Sequence, residues 1–217
     1  MYLDTADITL IEHFDQLGIL KGVTTNPSIL RKIERNRWTQ LQAIQATTEG
    51  HVFCQVVGNG FDDLLADFEQ IKKIEEQALF AIKVPVNFEG LKFIKYLKET
   101  EPERKVLGTA IYSADQGILA ALAGCDFIAP YVNRMLNNNI DPFAEITSMR
   151  LFIDERDLAT EIMGASFKNT SQVVSALNAG AHTATVAPDI LEAMMEKQLA
   201  TNAIAVFNED GQVTFEA

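Results

Sequence analysis

The feature that most constrains this chain is an alternation. Short apolar runs, each followed by a longer amphipathic segment, recur from one end to the other. Eight runs read as strands: Tyr2–Thr5, Gly22–Thr25, Val52–Val57, Leu79–Val84, Lys105–Ala110, Phe127–Val132, Glu161–Ser166 and His182–Val186. The segments between them carry helical spacing. In "NFEGLKFIKYLKET", Phe88, Leu91, Ile94 and Leu97 recur at three-residue steps with lysines between them. "DITLIEHFDQLG" places Ile8, Ile11, Phe14 and Leu17 on one face, with Gly18 as its stop. Pro27 and Pro142 stand where helices begin, the position at which proline's missing N–H matters least. A faint internal repeat fits the same plan: "ALAGCDFIAP" and "ALNAGAHTATVAP" both read helix, glycine stop, strand, Ala-Pro.

Strands separated by helices pair in parallel, because the helix carries the chain back to the starting edge. Eight units in 217 residues average about 27 residues each, near the lower size of a (β/α)8 barrel, roughly 200 residues. The expectation is an α/β chain with a single domain over 1–217, a (β/α)8 TIM barrel with a C-terminal helical tail. An open doubly wound sheet is the alternative, and no G-x-G-x-x-G turn follows the first strand to support it.

In a barrel of this kind the chemistry sits at the C-terminal ends of the strands. Those ends carry Asp4, Thr24 to Asn26, Gln55, Lys83, Thr109, Tyr131 and Ser166, while the eighth offers nothing polar beyond Thr185. Two residues earlier on the same face, Ala81, Leu107, Ala129 and Gly164 read as an apolar floor. The fourth run, "FAIKVPV", is the sharpest case, since six apolar residues enclose one lysine, Lys83. Lysine is almost never fully buried without a partner. An apolar wall disfavours the ammonium form, and a neutral amine can attack a carbonyl and form a Schiff base. The blander reading is a lysine that snorkels outward or pairs with a carboxylate.

Charge and composition exclude other classes. A net charge of −12 argues against nucleic acid and anionic membranes as partners. No apolar run approaches the roughly 20 residues of a membrane span. Cys54 and Cys125 lie in separate strand-like runs and read as free buried thiols. With a strand beginning at Tyr2 and no signal peptide, this predicts a cytoplasmic location. His13, His51 and His182 lack metal-ligand spacing, so no metal is expected. No serine sits in a G-x-S-x-G elbow. The basic run "RKIERNR" (Arg31–Arg37) reads as a solvated helix face, and Trp38 and Met194–Met195 as packing residues.

Several motifs together resemble the transaldolase family: "YLDTAD", "GVTTNPSIL", "KVPV", "GTAIYSADQGILAALAG" and "APYVNR". The resemblance runs through the whole chain and is strongest to its small fructose-6-phosphate aldolase branch. It implies a (β/α)8 barrel without metal or organic cofactor, and Lys83 as the Schiff-base nucleophile. It further implies Tyr131 as acid/base, with Gln55 and Thr109 holding a water. Asp4, Asn26 and Thr24 would meet substrate hydroxyls, and Arg134, Ser166 and, more weakly, Lys168 the distal phosphate. Transaldolases proper carry glutamate at the position of Gln55, phenylalanine at that of Tyr131 and asparagine near Thr109. The resemblance therefore favours cleavage of fructose 6-phosphate over transfer of a dihydroxyacetone unit. The remaining alternative is a sugar-phosphate-binding barrel that has lost catalysis. Relatives form homo-oligomers, a decamer of two pentameric rings in which a longer helical tail packs on a neighbouring subunit. Here "NEDGQVTFEA" follows Phe207, and Asp210-Gly211 reads as a turn.

Overall fold

The computed structural model describes residues 1–75 and 78–215, the last three by backbone alone. Eight strands form one closed ring: β1 (Tyr2–Asp4), β2 (Gly22–Thr24), β3 (His51–Gln55), β4 (Ala81–Pro85), β5 (Val106–Ile111), β6 (Phe127–Pro130), β7 (Glu161–Gly164) and β8 (Thr183–Val186). Each pairs in parallel with the next, and β8 returns to β1 with Thr185 opposite Tyr2. The helices are α1 (Ile8–Asp15), α2 (Pro27–Arg31), α3 (Arg37–Thr47), α4 (Phe61–Lys72), α5 (Phe88–Thr100), α6 (Ala114–Leu122), α7 (Val132–Leu136), α8 (Pro142–Glu155), α9 (Thr170–Asn178), α10 (Pro188–Met195) and α11 (Gln198–Phe215). The closed eight-stranded barrel expected from the alternation is the fold observed, and the open sheet is excluded. Among the described residues no helix is long and apolar enough to cross a membrane.

The barrel's interior is packed beneath the strand ends. Tyr2, Phe53 and Phe127 meet edge to face, with ring centroids 5.4, 5.5 and 6.0 Å apart. Ala81, Leu107, Ala129, Met163 and Ala165 fill the remaining space. Large rings from three strands pack with small alanines in the same interior cluster, a mix of sizes that suits the crowded inside of a barrel. The expected floor residue Gly164 is not part of it. A Cβ there would meet Phe167 and Ala176, so position 164 faces the helices and Met163 and Ala165 face inward. Alternation holds through Met163, Gly164 and Ala165, so the expected floor residue is off by one position, and the strand is followed by Ser166 at φ +59°, a left-handed conformation uncommon outside glycine.

Several helix expectations shift in detail. In α5 the buried stripe is Gly90, Phe93, Ile94 and Leu97, while Phe88 is 76% exposed. Asn87 caps the helix through the Gly90 amide at 2.8 Å, so Phe88 is the first helical residue and points to solvent. Gly90 is obligatory, because a Cβ would lie 1.9 Å from the Pro85 carbonyl oxygen. Leu17 lies beyond the end of α1 and is exposed, while Gly18 takes the left-handed φ of +65° expected of a stop. The internal repeat is structural. Gly124 and Gly180 have φ of +93° and +110°, and the next amides close back on Ala120 and Ala176 at 3.1 and 3.0 Å, the closure typical of glycine-ended helices.

The basic run is not one solvated helix face. α2 ends at Arg31, and α3 begins at Arg37 because Asn36 Oδ1 caps the Trp38 and Thr39 amides. A side-chain cap is a stronger local instruction than a run of charges. The turn read at Asp210-Gly211 is likewise not formed, since α11 runs straight through it. Glycine inside a helix costs only about 1 kcal/mol relative to alanine. α11 leaves Leu199 85% and Phe207 69% exposed, with Ile204 and Val206 also open. Trp38 and Met194 pack against the core as expected, whereas Met195 is exposed. Both cysteines are buried and unpaired, and burial pushes the Cys54 and Cys125 thiols up to about 11 and about 12. His182 Nδ1 accepts the Ile162 amide at 2.8 Å, which is a structural contact.

Candidate active site

Lys83 stands at the centre of the open end of the barrel. It is the middle residue of β4, opposite Gln55 on β3 and Leu107 on β5. Only 5% of it is exposed. Its Nζ reaches across to donate to the Thr25 carbonyl at 2.9 Å, and that residue is anchored on β3 through Thr25 Oγ1 to the Phe53 carbonyl at 2.9 Å. Among the described residues no carboxylate lies within ion-pair distance of the ammonium. Neither bland reading of this lysine holds, since it neither snorkels outward nor pairs with an acid.

Two short networks flank it. On one side Thr24 Oγ1 donates to Asp4 Oδ1 at 2.7 Å and lies 2.5 Å from Thr185 Oγ1. Thr24 has one hydroxyl proton and gives it to Asp4, so Thr185 donates to Thr24. The eighth strand, whose single polar residue at that end is Thr185, therefore joins the set. On the other side Thr109 Oγ1 and the Tyr131 hydroxyl are 2.8 Å apart. Tyr131 follows β6 directly and bridges to Ala165. Its ring meets Tyr112 edge to face at 5.6 Å.

Arg134 lies one turn into α7. Its guanidinium sits over the Tyr131 ring at 5.1 Å and donates to the Tyr112 hydroxyl at 3.2 Å. That hydrogen bond is the main reason its pKa is raised further, so the charge is permanent. The N-terminus of α7 is tied to the end of β7, where the Asn133 amide donates to the Ser166 carbonyl at 2.8 Å. Arg134 and Ser166 are thereby neighbours on one rim. The Asn26 side-chain oxygen is engaged as the cap of α2, accepting the Ile29 amide at 3.0 Å, which leaves its amide nitrogen as the group available to a ligand. Lys168 is exposed in the turn before α9, where its amide donates to Gln172 Oε1 at 2.7 Å.

Sequence reasoning missed Tyr112 and Arg37, and it named Thr185 without giving it a role. Tyr112 had a signal, in that it directly follows the apolar run of β5. Arg37 sits inside the basic run and had none. Among the described residues no three His, Cys, Asp or Glu side chains gather as a metal-binding set.

The family described as "Transaldolase/Fructose-6-phosphate aldolase" matches residues 1–217 of this chain. The chain belongs to that family. It is 37% identical over 214 residues to a "Probable fructose-6-phosphate aldolase" of Streptococcus pneumoniae (strain ATCC 700669 / Spain 23F-1), covering 96% of this chain and 94% of the relative. It is 34% identical over 209 residues to a "Probable transaldolase" of Chelativorans sp. (strain BNC1), with coverage of 96% and 94%. A "Probable transaldolase" of Streptococcus equi subsp. zooepidemicus (strain MGCS10565) is 32% identical over 209 residues, covering 96% of each chain. The motifs that suggested the family span the same length as these matches.

Proposed function

We propose that this protein is a Schiff-base aldolase that reversibly cleaves fructose 6-phosphate to dihydroxyacetone and glyceraldehyde 3-phosphate. The observation that carries the reading is Lys83, an amine 5% exposed at the strand ends of the barrel and free of any acidic partner among the described residues. Its Nζ adds to the C2 ketone and water leaves, giving an iminium that acts as an electron sink. The C3–C4 bond then breaks as the C4 hydroxyl gives up its proton. Tyr131, hydrogen-bonded to Thr109, supports a relay for that proton: its oxygen accepts it while its own hydroxyl proton passes on to a water, from which C3 is later protonated. The aldehyde departs and a three-carbon enamine remains on Lys83. Protonation at C3 and attack of water release dihydroxyacetone. Asp4 offers an acceptor and Asn26 a donor for the sugar hydroxyls, and the buried Thr24 acts behind them by holding Asp4 in place.

Relatives named probable transaldolases support a second reading, transfer of the same three-carbon unit to an aldose phosphate. A product assay separates the two. Purified protein with fructose 6-phosphate alone should release free dihydroxyacetone at a rate that erythrose 4-phosphate does not need to support. Sedoheptulose 7-phosphate formation that strictly requires the acceptor, with no free dihydroxyacetone, favours transfer. Neither product would mean a barrel without catalysis.

The phosphate end rests on Arg134 and Ser166. The guanidinium offers a planar fork for a phosphate. Arg134→Ala should raise KM for the phosphorylated sugar and spare an unphosphorylated acceptor. A charge-assisted contact of about 1.5–3 kcal/mol corresponds to a roughly 10- to 150-fold loss in kcat/KM. Equal losses on both substrates would assign Arg134 to folding instead. We also infer that the chain self-associates through α11, whose Leu199 and Phe207 are strongly exposed. Sedimentation velocity tests this, and a monomer at micromolar concentration would remove it.

A further inference from the structure

Arg37 lies outside the set around Lys83, yet it grips the backbone of that set. Its Nη2 donates to the Gln55 carbonyl at 2.7 Å. Nη1 and Nη2 also donate to the two oxygens of Asp67 on α4, at 2.8 and 3.0 Å. Asp67 Oδ2 in turn accepts the Val57 amide at 3.0 Å. One bidentate ion pair, drawn from α3 and α4, therefore fixes the carbonyl of residue 55 and the amide of residue 57. Between them the Val56 amide donates to the Lys83 carbonyl at 3.0 Å. The Arg37 guanidinium also stacks on Trp38 at 4.4 Å, which restricts its rotamers.

The end of a strand is where backbone groups run out of ladder partners. At β3 those groups are held by side chains that pack outside the barrel. Gln55 follows Phe53 by two residues, and Phe53 lines the barrel interior, so the Gln55 side chain projects into the mouth beside Lys83, its partner in register. Its direction is set by the peptide plane that Arg37 holds. We propose that Arg37, together with Asp67, is a positioning residue: it aims Gln55 at the covalent intermediate and thereby sets the rate at which that intermediate is released as free product. This rests on the Schiff-base reading of Lys83. A displacement of about 1 Å in a group that orients water is enough to change a rate by up to about 100-fold. Lysine in place of Arg37 could not hold both Asp67 and the carbonyl in the same plane.

The test separates formation of the imine from its release. Formation is read as the borohydride-fixed dihydroxyacetone adduct on Lys83, release as free dihydroxyacetone from fructose 6-phosphate. Arg37→Met, Arg37→Lys and Asp67→Asn should each keep adduct yield within about twofold while release falls about 10- to 100-fold. The double variant Arg37→Met with Asp67→Asn should be no worse than the poorer single one, because both remove the same clamp. Thr160→Val serves as the control. It removes a hydrogen bond to the Cys125 carbonyl at the opposite end of the barrel, so it lowers Tm without moving the release-to-adduct ratio. A wild-type ratio in all the folded Arg37 and Asp67 variants overturns the clamp and leaves the aldolase reading standing. No adduct on wild-type Lys83 overturns the Schiff-base reading and the clamp with it.

Discussion

Lys83→Met should abolish cleavage of fructose 6-phosphate while leaving a folded barrel. Among the described residues Lys83 is the one buried lysine, and removing a covalent nucleophile costs on the order of 10⁴- to 10⁶-fold in rate. Methionine matches the length of the side chain and suits the surrounding wall of Ala81, Leu107 and Phe53. The Thr25 carbonyl loses its donor, a penalty of about 1–3 kcal/mol for an unsatisfied buried acceptor. Against this, the barrel no longer has to hold a buried amine. Tm should therefore move by only a few degrees, in either direction. Borohydride with dihydroxyacetone should fix a three-carbon adduct on the wild-type peptide containing Lys83 and on no peptide of the variant. Turnover retained in Lys83→Met, or an adduct on another lysine, would end the Schiff-base reading.

Lys83 was legible because it breaks a local rule. A charged residue inside "FAIKVPV" conflicts with burial, and such conflicts gather at functional sites. The same alternation of faces placed Asp4, Thr24, Gln55, Thr109 and Tyr131 at the barrel mouth, since each lies two residues past an interior position or continues its strand's face. That logic needs an unbroken strand. It failed on β7, where Met163 and Ala165 face inward, one position off the face counted back from Ser166, whose own backbone is left-handed. Nothing in a serine announces that conformation. Arg37 was invisible for a different reason. Its partner Asp67 lies 30 residues away, so neither helical spacing nor the run "RKIERNR" encodes the pair. The apparent stripe from Phe88 in α5 and the turn at Asp210-Gly211 erred through local signals. Asn87 fixed where α5 begins, and the rest of α11 carried its glycine.

Arg104→Met should be the most destabilising single change short of the hydrophobic core, and it should spare the chemistry. Arg104 is 2% exposed in the segment between α5 and β5. Its Nη2 donates to Glu75 Oε2 at 3.0 Å, its Nη1 to the other Glu75 oxygen and to the Phe80 carbonyl at 3.0 Å, and its Nε to Glu101. Glu75 also accepts the Phe80 amide at 2.8 Å. The cluster thus closes around Phe80, the residue before β4, at the end of the barrel opposite the mouth. Burying these charges gains little by itself, because desolvation offsets most of their attraction. Removing one partner is different, since Glu75 is left nearly buried and unpaired. The expected loss is about 3–5 kcal/mol, which for a domain of this size lowers Tm by roughly 6–20 °C. Glu101 is a quarter exposed and can rehydrate, so Glu101→Gln should have a much smaller effect. Arg104→Lys should fall between the two, because an ammonium keeps the charge but loses the fork that serves Glu75, Glu101 and Phe80 together. Residues at this end of a (β/α)8 barrel serve stability, so kcat per folded molecule at 20 °C should match the wild type. A calorimetric Tm within two degrees of wild type would show the cluster is dispensable. A normal Tm with impaired kcat would move Arg104 from the scaffold into the machinery around Lys83.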